Sequence, residues 1–598
     1  MFKRRDALKF GLAAAGTGVS AQLSRAAEQY EDRPFPQSGL VRPNTRQPSI
    51  VTDPSPEVVP FQDPLFIMPT AQPRPVSELD PAPDPSRHQR YDELPPQKFF
   101  TEVQEQRRWV YSQQPPYDQG TWSVTMNGHV PGPTYKVNYG EPVLVRRINN
   151  QPNIGEGPVN FTVPSTTIHL HNAHTASESD GIPMDYINPG EFWDHHYGNF
   201  RAGNDDRETM NTLWYHDHRL DFTATNVYAG LSGFYLLFDE RDSNNEEDPN
   251  PEAFRLPSGK YDVPLILHDV QFDQNAQVVW DFFTPSPEIP ENVDGDGVGS
   301  FFPTPDFTTN GMLGDRFTVN RTIQPFFRVE PRKYRFRILN GGPSRLYTLK
   351  LEASTSQGSN AKAAAERMFV LSNDGNFYPE PLELEDVSIW VANRQDVVVD
   401  FSSLSPGDTV DLVNILESDP TGLGPSGRLL SNPDKLMQFQ VVAGEGDDPS
   451  QIPDQFRPNP LPPTVDQVRR ERLFVFDYDN NLFTINGNLM DPNRVTAAIE
   501  QGSAEVWTFR NAGDTWSHPI HTHFEEFRIF EVNGRPVKQG DFLDVRKDVV
   551  SLGPKDEIKF WSRWRDFFGR HVMHCHNVVH EDHAMMIRWD IVGRGHGD

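Results

Sequence analysis

From Phe99 to the C-terminus, short hydrophobic runs alternate with turns that are rich in Gly, Pro and Asn. The runs are rich in Val, Ile, Phe and Thr; examples are residues 142–147, 234–238, 334–339 and 396–401. Short β-branched and aromatic segments separated by turn residues are typical of all-β sandwiches. The pattern therefore predicts an all-β fold for this part of the chain.

Two acidic, Pro-rich breaks divide the β-rich region into three. They lie near residues 239–257 and 444–463. A chain of 598 residues is long enough to split into several domains, each with its own core. We therefore predict three domains, at residues 98–245, 246–450 and 451–598.

The N-terminal segment has a different composition. Residues 28–97 are polar and contain many Asp-Pro and Pro-x-Pro steps, which predicts an extended arm that can wrap over the first domain. Residues 1–27 contain Lys3-Arg4-Arg5 followed by a mild apolar run, which resembles a twin-arginine signal peptide. The alternative is a basic, Ala-rich disordered tail. The signal interpretation predicts export by the twin-arginine machinery to the periplasm or the extracellular space.

The charge balance excludes one class of partner. The chain has 55 Lys and Arg against 84 Asp and Glu, a net charge of −29, so a nucleic-acid backbone is not expected to bind. No stretch is long and apolar enough for a membrane span, and a single cysteine rules out an intramolecular disulfide. We expect a monomer with a small-molecule partner, and the acidic balance mildly favours cationic substrates.

The single cysteine, Cys575, lies between His574 and His576, with His580 and Met585 shortly after it. A Cys thiolate, two His and a weak axial Met are the ligands of a mononuclear blue-copper site. His518 is the candidate for the second His. The cysteine therefore indicates copper chemistry instead of core packing.

The histidines form an unusual pattern of His-x-His pairs. Random placement of 19 histidines in this chain would give about 0.6 such pairs, whereas four occur: His169/His171, His216/His218, His521/His523 and His574/His576. Residues i and i+2 of a strand project from the same face, so each pair offers two imidazoles in one direction. Eight imidazoles suit a cluster of copper ions.

Together these segments resemble the four copper motifs of the multicopper oxidases, in the family's order. The motifs occupy residues 167–171, 213–218, 518–523 and 574–580, with Met585. Residues 226–231, 329–336 and 580–582 further resemble the bacterial spore-coat-type laccases and the bilirubin oxidases. The resemblance runs from about Phe99 to the C-terminus. It implies three cupredoxin-like Greek-key β-sandwich domains, with the copper cluster between the first and third and a middle domain that serves as spacer and substrate wall.

The resemblance also implies four copper ions and a ligand for each position. Type 1 copper would take His518, Cys575, His580 and Met585; type 2 copper would take His169 and His521; the two type 3 ions would take His171, His216, His218, His523, His574 and His576. In the reaction implied for the family, a reducing substrate gives up electrons singly and dioxygen is reduced to water. The metals carry the redox chemistry, and the protein sets their geometry and potential.

Three further residues are candidates for a role in catalysis. Glu581 and Asp180 resemble acids that assist proton delivery, although each could instead only hydrogen-bond a ligand imidazole or cap a loop. Asp217 and Asp582 are interpreted as structural orienters. Trp516 resembles a tryptophan at the substrate pocket of bilirubin oxidases, and packing beside the metal site is the alternative for it.

The substrate stays open at this level. Phenols, aromatic amines and bilirubin-like pigments are the first choice; the alternative is a metallo-oxidase for Mn(II), Fe(II) or Cu(I). Carboxylates clustered near His518 or His580 would favour the metal ions, whereas the 12 scattered Met speak against a dedicated Cu(I) oxidase. A second alternative, a non-catalytic copper-binding or partner-binding cupredoxin, usually lacks ligands that are present here.

Two other motifs carry weaker interpretations. Residues 292–297 resemble the start of a calcium loop, but position twelve is Pro303 instead of Glu, which favours a solvated turn. The pair His195 and His196 is interpreted as packing instead of metal ligation.

Overall fold

The computed structural model describes residues 54–159, 161–280, 311–418, 424–479 and 482–593. The predicted signal at 1–27, the start of the arm and the turn at 292–297 lie outside the described residues. The described residues form three pairs of β-sheets, which confirms the predicted all-β architecture.

The first pair of sheets lies within residues 98–238. In spatial order, one sheet contains β2 (Thr121–Met126), β1 (Lys98–Trp109), β4 (Val143–Asn149) and β6 (Phe192–Tyr197); the other contains β3 (Tyr135–Asn138), β8 (Ser232–Phe238), β7 (Thr212–Asp217) and β5 (Ile168–His171). Buried side chains of both sheets, such as Val124, Val145, Leu170 and Tyr215, meet in one core. The two sheets therefore form the first sandwich.

The second sandwich lies within residues 262–441. One sheet contains β11 (Thr322–Ile323), β10 (Arg316–Val319), β9 (Asp262–Val270), β13 (Lys333–Asn340), β18 (Arg394–Asp400), β15 (Met368–Asn373) and β16 (Asn376–Leu384); the other contains β12 (Phe326–Val329), β20 (Pro425–Val441), β19 (Thr409–Ser418), β14 (Tyr347–Ser354) and β17 (Asp386–Ile389). Strand β14 shows the two-residue alternation directly, because Leu349 and Leu351 are buried in the core while Glu352 faces outward.

The third sandwich lies within residues 468–592. One sheet contains β22 (Leu482–Ile485), β21 (Val468–Asp479), β24 (Ala504–Asn511), β30 (Glu557–Arg563), β26 (Phe527–Val532) and β27 (Arg535–Pro536), with β28 (Arg546–Lys547) paired to β26; the other contains β23 (Val495–Glu500), β32 (Met586–Val592), β31 (Gly569–Cys575), β25 (His518–Thr522) and β29 (Val549–Leu552). Its core is aromatic and includes Trp507, Phe560, Trp564 and Trp589.

Short helices lie in the loops between strands. The α-helices are α1 (Ser177–Asp180), α2 (Thr223–Ala229), α3 (Ser359–Ala365) and α4 (Val578–Asp582). The 3₁₀ helices are Val76–Glu78, Pro85–Arg87, Tyr117–Gln119, Ala202–Asn204, Asp206–Glu208 and Gly259–Tyr261. Helices α1, α2 and α4 are buried, and they lie beside the strands that carry the histidine pairs.

The described part of the arm lies against all three sandwiches, and Gln89 exchanges hydrogen bonds with the backbone of Phe568 in the third. Arm residue Thr70 forms a bridge with Thr134 of the first sandwich, and Pro64 forms one with Phe326 of the second. Leu65 is buried in the core of the second sandwich. The arm thus reaches beyond the first domain, over which the composition alone suggested that it could wrap.

The strands of each sandwich fall within one of the three predicted domain ranges, whose exact boundaries remain a prediction. Within the part of the chain that the structure describes, every helix is too short or too polar to cross a membrane.

Candidate metal centre

Four strand ends bring the histidine pairs together. In the first sandwich β5 pairs with β7, which puts His169 opposite His216; in the third, β25 pairs with β31, which puts His521 opposite His574. Each pair of strands is antiparallel, and i, i+2 side chains share a face, so each sandwich presents its imidazoles as one group. All eight imidazoles are buried.

The two groups face each other across the contact between the first and third sandwiches. The Nε2 atoms of His169 and His521 lie 3.4 Å apart, and the rings of His171 and His521 stack with centroids 3.7 Å apart. His523 provides a second contact across the interface, because its Nε2 lies 3.1 Å from that of His218; within its own group it lies 3.4 Å from that of His574. A third set of neighbours consists of the rings of His171, His216 and His576, whose centroids lie 5.1 to 5.7 Å apart.

The tautomers of these histidines fit metal ligation. The Nδ1 atoms of His169, His216 and His521 lie 2.6, 2.8 and 2.9 Å from the carbonyl oxygens of Asp180, Asp217 and Asp548. A carbonyl only accepts, so each Nδ1 carries the proton and leaves the lone pair on Nε2. These lone pairs point into the shared space, and the buried Nε2 atoms of His216 and His576 have no hydrogen-bond partner among the described residues. Bound cations would satisfy them, and imidazole is a good ligand for copper.

Burial keeps these imidazoles in the form that binds metal. It lowers the pKa of His218 to about 4, and it lowers the pKa of His216, His521 and His576 well below the ordinary value. A buried group resists the charged form, so these four imidazoles stay neutral at neutral pH.

Two carboxylates each join a pair of imidazoles. The carboxylate oxygens of Glu581 lie 2.9 Å from Nδ1 of His218 and 3.0 Å from Nδ1 of His574. One carboxylate oxygen of Asp180 lies 2.7 Å from Nδ1 of His523, and the other lies 3.4 Å from Nδ1 of His169. Burial alone would raise the pKa of both acids, but the neighbouring imidazoles outweigh it and lower both values well below the ordinary range. Such contacts fix the ring orientation of metal-ligating histidines.

A second, smaller site surrounds Cys575. Its Sγ lies 3.5 Å from Nδ1 of His518 and 3.6 Å from Nδ1 of His580, and the two nitrogens lie 3.2 Å apart. Met585 is fully buried in the same core, where its backbone carbonyl accepts from the N–H of Cys575. This spacing suits three ligands of one metal ion. Burial lowers the pKa of His518 to about 3 and raises that of the Cys575 thiol, so Cys575 would form a thiolate here only with a bound cation to stabilise it.

Aromatic rings enclose the Cys575 site. Phe483 stacks on the His580 ring with centroids 3.9 Å apart, and Trp516 meets the same ring edge-on at 5.6 Å. Tyr478, which is half-buried, contacts both Phe483 and Trp516. The structure therefore places Trp516 beside the predicted copper ligand, packed among aromatic neighbours.

Other predicted residues lie at the edge of the histidine cluster. The Asp217 carboxylate accepts from the backbone N–H of Thr167 and Arg219, and that of Asp582 accepts from the N–H of Ala224. Both therefore hold loops and helices in place. His195 and His196 are buried, and they contact helix α1 and the arm.

Sequence reasoning missed three neighbours of the predicted ligands. Asn577 places its side-chain Nδ2 3.1 Å from Nε2 of His580, Phe483 covers that ring, and Asp548 contacts His521 and His171. Asn577 could have been found, because it directly follows His576 and is a good N-cap residue for α4. Phe483 lies in an ordinary strand and Asp548 lies between the short strands β28 and β29, and neither position carries such a signal.

Comparison with known proteins decides the family. A family model described as Multicopper oxidase matches residues 110–242, and a second with the same description matches residues 437–593. A bilirubin oxidase of Albifimbria verrucaria is 33% identical over 478 residues, which cover 77% of this chain and 72% of the relative. A laccase of Bacillus stratosphericus is 30% identical over 511 residues, or 78% of this chain and 90% of the relative. The chain belongs to the multicopper oxidase family.

The fold agrees with this membership. A crystal structure of a multicopper oxidase from Pediococcus acidilactici superimposes with a TM-score of 0.67 at 19% identity, covering 92% of this chain and 95% of the other. This multicopper oxidase is therefore an oxidoreductase, and its family binds copper. The resemblance drawn from the four histidine motifs is confirmed.

Proposed function

We propose that this multicopper oxidase is a laccase-like enzyme, which oxidises phenols, aromatic amines or bilirubin-like pigments and reduces dioxygen to water. The observation that carries the proposal is the complete donor set: eight buried imidazoles in one cluster, with a buried Cys–His–His site one residue away. A protein that only bound a partner would not need two such sites joined by consecutive residues.

Each residue has a proposed place in the four-copper arrangement. His518, Cys575, His580 and Met585 would hold type 1 copper, and His169 and His521 would hold type 2 copper. The type 3 pair would be held by His171, His216, His218, His523, His574 and His576. The close approach of the His169 and His521 Nε2 atoms supports the type 2 assignment.

When bound, the copper ions supply one-electron oxidation of the donor and reduction of dioxygen. The chain supplies the connection, because Cys575 belongs to the small site while its neighbours His574 and His576 belong to the cluster. The chain also positions the acids that a proton-consuming reaction needs. Glu581 and Asp180 are ionised at rest, since their pKa values are lowered, so each would take up a proton before passing it on.

The surroundings of the Cys575 site favour an organic donor. Phe483, Trp516 and Tyr478 pack together beside the His580 ring; Phe483 and Trp516 are buried, whereas Tyr478 is half-buried and offers an aromatic ring towards a flat donor. Gly424, directly before β20, lies close to the Ser517 side chain, which an added Cβ would approach to 3.1 Å. We propose Trp516 as a contact of the donor.

Metal-ion oxidation is the competing activity, and it predicts carboxylates clustered near His518 or His580. Among the described residues, the close groups of His, Cys, Asp and Glu that could hold a metal are all formed by the proposed copper ligands, with Asp548 as the only carboxylate. Asp548 lies beside His171 and His521 instead of beside the Cys575 site. This placement supports organic donors over Mn(II) and Fe(II).

The test is dioxygen uptake by copper-loaded protein against a panel of donors: a methoxyphenol, an aromatic amine, bilirubin, Mn(II), Fe(II) and Cu(I). We expect uptake with the organic donors, and we expect Trp516→Ala to raise KM for them more than it lowers kcat. Uptake with metal ions alone would overturn the organic-donor proposal. A fully loaded, blue protein that consumes no dioxygen with any donor would point to a binding function.

We further propose that the protein is exported as a folded monomer by the twin-arginine machinery to the periplasm or beyond. The basic start of the sequence supports this, and so does a structure in which distant segments complete the copper ligands. Fusing residues 1–27 to a reporter, with Arg4 and Arg5 both replaced by Lys as control, would test it; export of both fusions would contradict the twin-arginine route.

A further inference from the structure

Asp548 contacts one imidazole from each of the two sandwiches that form the cluster. Its backbone carbonyl lies 2.9 Å from Nδ1 of His521, and its carboxylate lies 3.3 Å from Nε2 of His171, outside hydrogen-bond geometry. The rings of His171 and His521 are the pair that stacks across the contact. The position of this single residue therefore affects both sides of the cluster.

Arg394, on β18 of the middle sandwich, holds the Asp548 carboxylate. Its Nη1 and Nη2 atoms donate to the two carboxylate oxygens at 2.9 and 2.8 Å, a bidentate pair in which both side chains are buried. A guanidinium has five N–H donors, and the other three reach the carbonyl oxygens of Thr212, Ala392 and Asp374. The guanidinium is therefore fixed completely by its surroundings.

The contacts of Arg394 reach both copper-binding sandwiches. Thr212 begins β7, the strand that carries His216, and Asp548 lies directly before β29, which pairs with the His518–His521 strand. Lys547, next to Asp548, is held in the same way, because its ammonium lies 2.8 Å from the carboxylate of Asp374 in the middle sandwich. The sandwich that supplies none of the proposed ligands thus anchors the residue that touches two of them.

We propose that Arg394 is a positioning residue of the histidine cluster, which acts through Asp548 to hold His171 and His521 where they retain copper. This inference rests on the proposed four-copper function. Without Arg394, the buried Asp548 carboxylate would lose its cationic partner and would turn towards the nearest proton donors. Changes to residues that orient metal ligands typically weaken metal affinity by about 10- to 100-fold. The middle sandwich is then part of the metal site and more than a spacer.

The experiment compares copper retention in the two sites of the same protein. Copper-loaded wild type and Arg394→Gln are dialysed against graded chelator; copper per chain, the blue absorption of the type 1 site and the type 2 EPR signal are followed. We expect Arg394→Gln to lose cluster copper and its type 2 signal at a 10- to 100-fold lower chelator concentration, with the blue band retained. Arg394→Lys, which keeps the charge but not the fork, should fall in between.

Two further variants separate positioning from general stability. Asp548→Asn keeps the side-chain volume and should show the same selective loss of cluster copper. It also tests the proposal if Arg394→Gln yields no soluble protein. Arg335→Gln is the matched control, because Arg335 is a buried arginine of the same sandwich that pairs with Asp242 and Asp396 and touches none of the proposed ligands. Wild-type retention in both Arg394→Gln and Asp548→Asn would overturn the proposal, and so would an equal loss in Arg335→Gln. Wild-type protein that never becomes blue would instead contradict the proposed function.

Discussion

Replacing Glu581 by Gln tests whether a carboxylate that contacts two imidazoles of the cluster is needed for turnover. The two carboxylate oxygens of Glu581 serve His218 and His574 at 2.9 and 3.0 Å, and both imidazoles point their other nitrogen into the cluster. Glutamine has nearly the same shape, so the fold should survive. Its amide can accept from only one of the two imidazoles, because its other end is a donor that would face the second N–H.

The size of the effect follows from these contacts. Each hydrogen bond to a charged group contributes about 1.5 to 3 kcal/mol. Losing one of the two corresponds to roughly a 10- to 100-fold weaker hold on copper, the range typical of residues that orient metal ligands. Loss of a proton-transferring group lowers turnover by about 10²- to 10⁴-fold. We therefore expect Glu581→Gln to show a turnover deficit that excess copper does not restore.

The assay is steady-state dioxygen uptake at saturating copper, with copper per chain and the blue absorption measured on the same sample. We expect full copper loading at excess copper, an unchanged blue band, and kcat lowered at least 100-fold. Glu581→Asp, which keeps the charge on a shorter side chain, should recover part of the activity. Wild-type kcat in Glu581→Gln would refute the proton role, and activity restored fully by copper would reduce Glu581 to an orienting residue.

Three other changes have defined outcomes. Cys575→Ser should remove the blue absorption and donor oxidation while the fold stays intact. Full turnover would contradict Cys575 as a ligand of the type 1 copper that receives the donor's electrons. Met585→Leu should keep copper but raise the type 1 potential, since a weak donor is lost; redox titration showing an unchanged or lower value would exclude Met585 as axial ligand. Burial, followed by the charges of His196 and Arg87, lowers the pKa of His88 in the arm to about 3 from an ordinary 6.5. The released arm therefore binds more protons than the packed arm, so the packing of the arm weakens as pH falls below 6.5. At pH 5 the free energy that holds the arm in place is smaller by about 2 kcal/mol, which corresponds to roughly 30-fold faster proteolysis of the arm than at pH 7.5. His88→Asn should remove most of that acceleration.

The local pattern of the sequence indicated which histidines lie close together in the structure, for a physical reason. A His-x-His pair on a strand fixes the direction of both imidazoles, so each pair needs no distant information to be interpreted. Cys575, between two such histidines, likewise defines two sites on opposite faces of one strand end. The joining of these pairs at one interface was implied by the family resemblance, and the structure brings the eight imidazoles together there.

The residues that support the ligands were harder to predict. Arg394 lies 154 positions from Asp548 in sequence; the arginine begins an ordinary strand, and the aspartate lies between two short ones. A buried arginine in a strand is also equally consistent with a purely structural pair, such as Arg337 with Asp262. The course of the arm was unpredictable for the same reason, since a Pro-rich composition defines its extension but not the sandwich to which Leu65 contributes.

The ratio of donor oxidised to dioxygen consumed tests most directly whether the Cys575 site passes electrons to the histidine cluster. With copper-loaded protein and a methoxyphenol, we expect four donor molecules oxidised by one electron each per dioxygen, no accumulated hydrogen peroxide, and no uptake by Cys575→Ser. A ratio of two with peroxide formed, or undiminished uptake by Cys575→Ser, would contradict the coupling of the Cys575 site to the histidine cluster.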